Sequence, residues 1–274
     1  MTKELVQSPL PAAHAQALDQ YVGSWRSGFV QSLVVLVIVL AASWYVNLFD
    51  FATLAAGIPA IGTLAGEAMP PDFSNYRSWV APLVDTLAMS IAGTALAVSV
   101  SVFVAFLAAR NTSPSPLVYH AARTLLNALR SVPELMMGIV FVAAVGFGAL
   151  PGVLALGLHS IGMVGKFFAE AIEHVDDAPV EAARAAGASP LQIILHAVLP
   201  QVLPQFADVS IYRWEYNFRA STVMGMVGAG GIGFELMGSL RLMQYQEVSA
   251  LLLVILVMVT LVDALSGRLR KKFK

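Results

Sequence analysis

The chain alternates long apolar runs with short polar stretches, and several runs are long enough to be spans. A helix crossing the hydrocarbon core needs ~20 mostly apolar residues. Residues 29–49 meet that length, with Trp44 and Tyr45 where amphipathic rings sit at a membrane–water interface. Residues 50–82 bring glycine, proline and the acids Asp50, Glu67 and Asp72, and read as an external loop. The second span is 83–109. Its small residues recur every four positions, at Gly93, Ala97, Ser101, Ala105 and Ala109. Such a ridge lets another helix approach closely; packing within the chain is the simpler use for it, a seam between subunits the other. Residues 110–130 are basic and partly helical, and contain the turn signal Asn111-Thr112-Ser113-Pro114. A third span at 133–149 is short unless the preceding helix tilts into it, and Leu150-Pro151-Gly152 breaks it from a fourth at 153–168. A fifth, unusually polar span covers 202–222, a glycine-rich stretch covers 225–238, and the last span is 247–265.

Composition agrees. Of 274 residues, 58% are hydrophobic and 12% charged, against ~25% charged in an average protein. The fold class is an all-α membrane protein of about six transmembrane helices. Its organisation reads as a polar tail (1–28), a first span with its external loop (29–82), a core domain (83–265) containing a polar loop at 174–200, and a basic tail (266–274). The tail at 1–28 lacks the basic-then-apolar pattern of a cleaved signal. Without cysteine there is no disulfide or thiolate chemistry. The five histidines are scattered and suggest no metal site, and a net charge of −1 offers no basic field for nucleic acid.

Six spans put both termini and the 174–200 loop on one side. On that side lie Lys3, Arg26, Arg110, Arg123, Arg130, Arg184, Arg268, Arg270, Lys271, Lys272 and Lys274; opposite lie Arg77 and Arg241. The positive-inside rule makes the first side cytoplasmic.

Four stretches carry candidate chemistry. At Glu181–Pro200, a small-residue helix through Ala186 meets Gly187, suited to a left-handed cap. Ser189, Pro190 and Gln192 then fit an N-cap, a first helical residue and the second member of a capping box. The sequence encodes a compact helix–turn–helix knob in water. In 213–219, Arg213, Glu215 and Arg219 lie where ionisable groups are costly. Glu215 and Arg219 are spaced as a helix ion pair; Arg213 and Asn217 share a face with no acid in register. These residues are either structural, with Arg213 tethered to backbone carbonyls, or border a translocation path. Gly228, Gly230 and Gly233 spell G-x-G-x-x-G, but no βαβ unit surrounds them, so a dinucleotide site is excluded. The glycines, Gly231 among them, point to close backbone approach or a broken helix lining a cavity, with Met224 and Met226 as a gate or as plain core. His159 and Lys166, seven apart, are either a proton relay or a bland pair of residues in which Lys166 binds Glu170. No GxxxxGK[ST] occurs, so ATP-driven work falls to a partner.

The knob resembles the EAA loop of ABC-importer permeases. Glu181, Ala182, Ala183, Gly187, Leu199 and Pro200 match, and Ala197 stands at the usual Ile position. Tyr212-Arg213-Trp214-Glu215, Asn217, Arg219 and Thr222 through Gly233 are similar to phosphonate/phosphite permeases, with the glycine part shared by methionine and betaine permeases. The resemblance implies a type I importer domain in the bacterial inner membrane, not itself an enzyme. Glu181, Ala182, Ala183 and Gly187 would couple to a cytoplasmic ABC ATPase dimer, which holds ATP and Mg; this chain needs no cofactor. A second permease subunit, an extracytoplasmic substrate-binding protein and membrane lipid complete the partners. Arg213, Glu215, Asn217, Arg219, Met224, Gly228, Gly230 and Gly231 are the candidate pathway residues. Rival expectations are a methionine or betaine substrate, or a proton-coupled carrier using His159 and Lys166.

Overall fold

The computed structural model describes residues 12–272 of the chain, with side chains from residue 28. The described residues are helical, without a strand: α1 (Ala12–Tyr45), α2 (Phe51–Glu67), α3 (Tyr76–Ala108), α4 (Pro116–Ser131), α5 (Glu134–Val145), α6 (Ala149–Glu173), α7 (Asp177–Ala185), α8 (Pro190–Ile193), α9 (Leu199–Met224), α10 (Ile232–Arg241) and α11 (Tyr245–Arg270). Five helical runs are long and apolar enough to span; α4 and α5, bent by 84° to each other, reach that length only when counted together as one broken span. The expected third span at 133–149 is α5, 12 residues long and too short to cross alone, with the 16-residue α4 before it. Lys3 and Lys274 lie outside the described residues, as do residues 1–11 of the polar tail; its remainder is helical from Ala12.

Packing divides the chain into two units, up to Leu64 and from Ala65 on. The first holds α1 and most of α2. From Phe29 to Leu40 α1 is apolar at every position but Gln31 and Ser32. Residues 50–82, read as a loop, are largely helical. Asp50 is a cap: its carboxylate accepts from the Thr53 amide at 3.1 Å and the Thr53 hydroxyl at 2.6 Å. Those bonds, the hydroxyl's first, hold the Asp50 carboxyl below its ordinary range. Only 68–75 remains irregular before α3, which starts at Tyr76 and runs through Pro82.

In the second unit α3 and α6 form the central pair. The small-residue ridge lies along their contact: a Cβ on Gly93 would lie 3.1 Å from Leu156 Cβ, and Ser101 Oγ donates to the Ile161 carbonyl at 3.2 Å. The ridge is therefore packing within the chain. The break placed at Leu150-Pro151-Gly152 lies earlier, where Gly146 and Gly148 take φ +90° and +125°. Pro151 falls in the first turn of α6, where its missing N–H has no intrahelical partner to lose. Phe168 stacks on Phe206 at 3.8 Å within the largest core cluster. From Pro190 to Met224 the chain is one helical run with a π turn at Ile194–Val198. Pro200 cannot donate to a carbonyl behind it, and the widened turn accommodates this.

Candidate functional site

The knob forms as its local chemistry dictates. Asp176 caps α7 by accepting from the Ala178 amide at 3.0 Å. At the other end Gly187 takes φ +78°. Its amide donates to the Arg184 carbonyl at 2.9 Å and that of Ala188 to the Ala183 carbonyl at 3.1 Å, the paired bonds of a left-handed cap. The expected capping box is present, with the Ser189 amide 2.8 Å from Gln192 Oε1. Glu181, Ala182 and Gly187 are exposed and Ala183 is half-buried; Ala197, at the usual Ile position, is buried in the core. One tie that sequence reasoning did not find fixes the knob to α9. Gln201 Oε1 accepts from the Asp176 amide at 2.9 Å, and its Nε2 donates to the Asp176 and Ala197 carbonyls at 3.3 and 2.7 Å.

The polar residues of α9 separate into two networks. In the first, Asn217 is fully buried. Its Nδ2 donates to Thr94 Oγ1 at 2.9 Å and its Oδ1 accepts from Ser160 Oγ at 3.1 Å. Arg213, 4% exposed, donates from Nε to Ser160 Oγ at 2.8 Å and lies over the Tyr216 ring at 4.2 Å. Its Nη2 has no partner among the described residues. Arg213 is thus anchored to a side chain and a ring, not to backbone carbonyls. α3, α6 and α9 meet at this point. Asn217→Leu is expected to cost about 2–3 kcal/mol, because Thr94 and Ser160 would be left buried with partners removed. Thermal unfolding of the detergent-solubilised subunit measures it.

The second network contains the expected Glu215–Arg219 pair at 2.9 Å. Arg219 also binds Asp263 at 2.9 Å, while Glu215 Oε2 accepts from Ser266 at 2.8 Å and Arg270 at 3.3 Å. It fastens α9 to α11. A third set joins the α4–α5 bend. His159 Nδ1 lies 3.0 Å from the Val132 carbonyl, which can only accept, so Nδ1 carries the proton. Its Nε2 lies 3.5 Å from Glu134, whose other oxygen accepts from the Tyr216 hydroxyl at 2.9 Å. Lys166 instead pairs with Glu170 at 3.6 Å. The relay of His159 and Lys166 is not assembled.

The glycine stretch is a tight reverse turn between α9 and α10, so close backbone approach is its use. Gly228, Gly230 and Gly231 take φ between +74° and +92°. A Cβ on Gly233 would collide with the Thr222 carbonyl oxygen, and one on Gly225 with the Phe234 amide nitrogen. Of the methionines, Met224 is buried against Gly138 and Met226 is exposed. The residues missed from sequence (Glu134, Tyr216, Gln201, Asp263, Ser266 and Arg270) share one property. Each has a partner 25 or more residues away; Tyr216, inside the singled-out 213–219 run, and Arg270, counted with the basic residues, carried the only signals.

Comparison with known proteins gives four findings. Residues 101–274 match the family described as binding-protein-dependent transport system inner membrane component. The chain is 78% identical to the phosphite transport system permease protein PtxC of Stutzerimonas stutzeri, over 92% of each chain. It is 42% identical to the phosphate-import permease protein PhnE of Mycolicibacterium smegmatis, over 85% of this chain and 43% of that one. Among solved structures, a chain of the MetNI methionine ABC transporter in an inward-facing conformation superposes with a TM-score of 0.62 at 20% identity, covering 72% of this chain and 96% of that one.

Proposed function

This chain belongs to the family of inner membrane components of binding-protein-dependent transport systems, and from that premise we propose that it carries phosphite or a closely related phosphonate across the inner membrane. It is a multi-pass permease with the type I ABC-importer fold. The 78% identity to a phosphite permease along nearly the whole chain carries the substrate reading; the methionine transporter's likeness, at 20% identity, speaks to fold alone. Both termini and the knob lie in the cytoplasm, as the arginine and lysine distribution supports. An ABC ATPase dimer binds the knob and supplies all ATP and Mg chemistry. A second permease subunit completes the path, and an external binding protein delivers the oxyanion.

The mechanism follows from shape. ATP-driven closure of the ATPases moves α7 as a rigid body, because both its ends are capped and Gln201 ties its start to α9. That motion reaches α9 and, through Asn217 and Glu215, the helices α3, α6 and α11. Saturable, ATP-dependent uptake of radiolabelled phosphite by vesicles carrying the full complex, competed by unlabelled phosphite and not by methionine, is the expected result. Competition by methionine alone would overturn the substrate reading.

Gln201→Leu tests the tie. The Asp176 backbone groups are exposed, so water replaces the lost bonds and the cost to stability is about 1 kcal/mol. Uptake per ATP hydrolysed is expected to fall several-fold while the complex stays assembled, as read from simultaneous phosphate release and uptake.

A further inference from the structure

A groove of about 320 Å³ runs between α5 and α9, lined by Glu134, Leu135, Tyr216, Arg219, Ala220 and Val223. Charged groups at bilayer depth cost at least ~2.5–3.5 kcal/mol each on insertion scales when they face hydrocarbon. The Arg219 side chain is nevertheless 41% exposed and that of Glu134 20%. Arg270, from the basic end of the chain read as cytoplasmic, reaches Glu215 beside Arg219 at 3.3 Å, so the groove lies toward that end, where exposed charges can meet water or protein.

The groove is close to charge-neutral. Glu134 faces Arg213 behind the Tyr216 ring, and Arg219 with Arg270 is matched by Glu215 and Asp263. A dianion gains no net Coulombic well there and meets a carboxylate that repels it. A species that also donates a hydrogen bond is better suited. Glu134 Oε1 accepts from Tyr216, while Oε2 has only His159 Nε2 at 3.5 Å. An ionised carboxylate offers about four lone-pair sites, so Oε2 has room for another donor. Arg219 keeps N–H groups beyond those given to Glu215 and Asp263.

We infer that this groove is a transit subsite for the singly protonated oxyanion: its P–OH donates to Glu134 Oε2 while Arg219 draws the remaining negative oxygens. The inference rests on the phosphite or phosphonate reading above and deepens it. A tetrahedral dianion without a proton, such as sulfate, lacks the donor and is passed poorly. The titratable and charged groups around Glu134 are His159 from α6 and Arg213 and Tyr216 from α9, with Arg219 farther along the groove.

The test compares two substrates in proteoliposomes holding permease, ATPase and saturating binding protein. Uptake of phosphite and of methylphosphonate is measured as pH crosses each substrate's second ionisation. Titrations of the protein move both profiles alike, so their offset reports the substrate's proton. In the wild type each rate falls about tenfold per pH unit above its own substrate's ionisation, in proportion to the competent fraction. In Glu134→Gln the offset vanishes while uptake continues, because the amide donates to an unprotonated oxygen. Superimposed wild-type profiles, or an offset retained in Glu134→Gln, would overturn the subsite. ATP-dependent uptake of neither oxyanion by the wild-type complex would remove the substrate reading itself, and the inference with it.

Discussion

Glu215→Ala is expected to destabilise the permease by about 3 kcal/mol and to abolish uptake. Glu215 is buried and is the shared acceptor for Arg219, Arg270 and Ser266. Removing one member of a buried ion pair leaves the others uncompensated, at about 3–5 kcal/mol. The lower figure applies because Arg219 and Arg270 keep part of their side chains exposed and can rehydrate. Asp263→Asn provides the contrast: that carboxylate is 43% exposed, so its loss costs less than about 1 kcal/mol. Thermal unfolding of both variants in the same detergent reads the difference. Equal stabilities would show that the α9–α11 clasp does not depend on Glu215.

Gly187→Val is expected to abolish ATP-driven uptake although the subunit folds. A Cβ at Gly187 would meet no atom within 4 Å, so packing does not oppose the substitution. The backbone does, because φ is +78° and a β-branched residue resists the left-handed region. A left-handed conformation costs an ordinary residue about 1–2 kcal/mol. Relaxing that strain changes the angle between α7 and α8, and with it the shape of the knob offered to the ATPase. The checks are circular dichroism and size exclusion for the fold, then ATPase activity with loaded binding protein. Wild-type stimulation by a folded Gly187→Val complex would show that the knob's shape is not what couples.

The parts of the fold legible in the sequence are those governed by local rules. Apolar length marked the five helical runs long enough to span, and the Gly187 cap and Ser189–Gln192 box followed from side chains a few residues apart. Glu215–Arg219 was visible because four residues is one helical turn. α2 was hidden because Asp50 resembles a loop acid and Pro59 a breaker; the acid caps the helix, and Pro59 is carried inside it. The start of α6 was misplaced because proline is tolerated in a first turn. Helical periodicity put His159 and Lys166 on one face, yet seven residues are about 10 Å along the axis, too far for direct contact. His159's partners, Val132 and Glu134, come from another helix break, and Asp263, Ser266 and Arg270 reach α9 from a helix more than forty residues on. Such pairings are set by tertiary packing, which no periodicity within one helix encodes.

ATP hydrolysis by the complete complex in proteoliposomes tests the central claim most directly. The rate is measured with the binding protein loaded with phosphite, loaded with methionine, or empty. Stimulation by the phosphite-loaded protein alone is the predicted result. Stimulation by the methionine-loaded protein alone, or no response to phosphite from an intact complex, would contradict it.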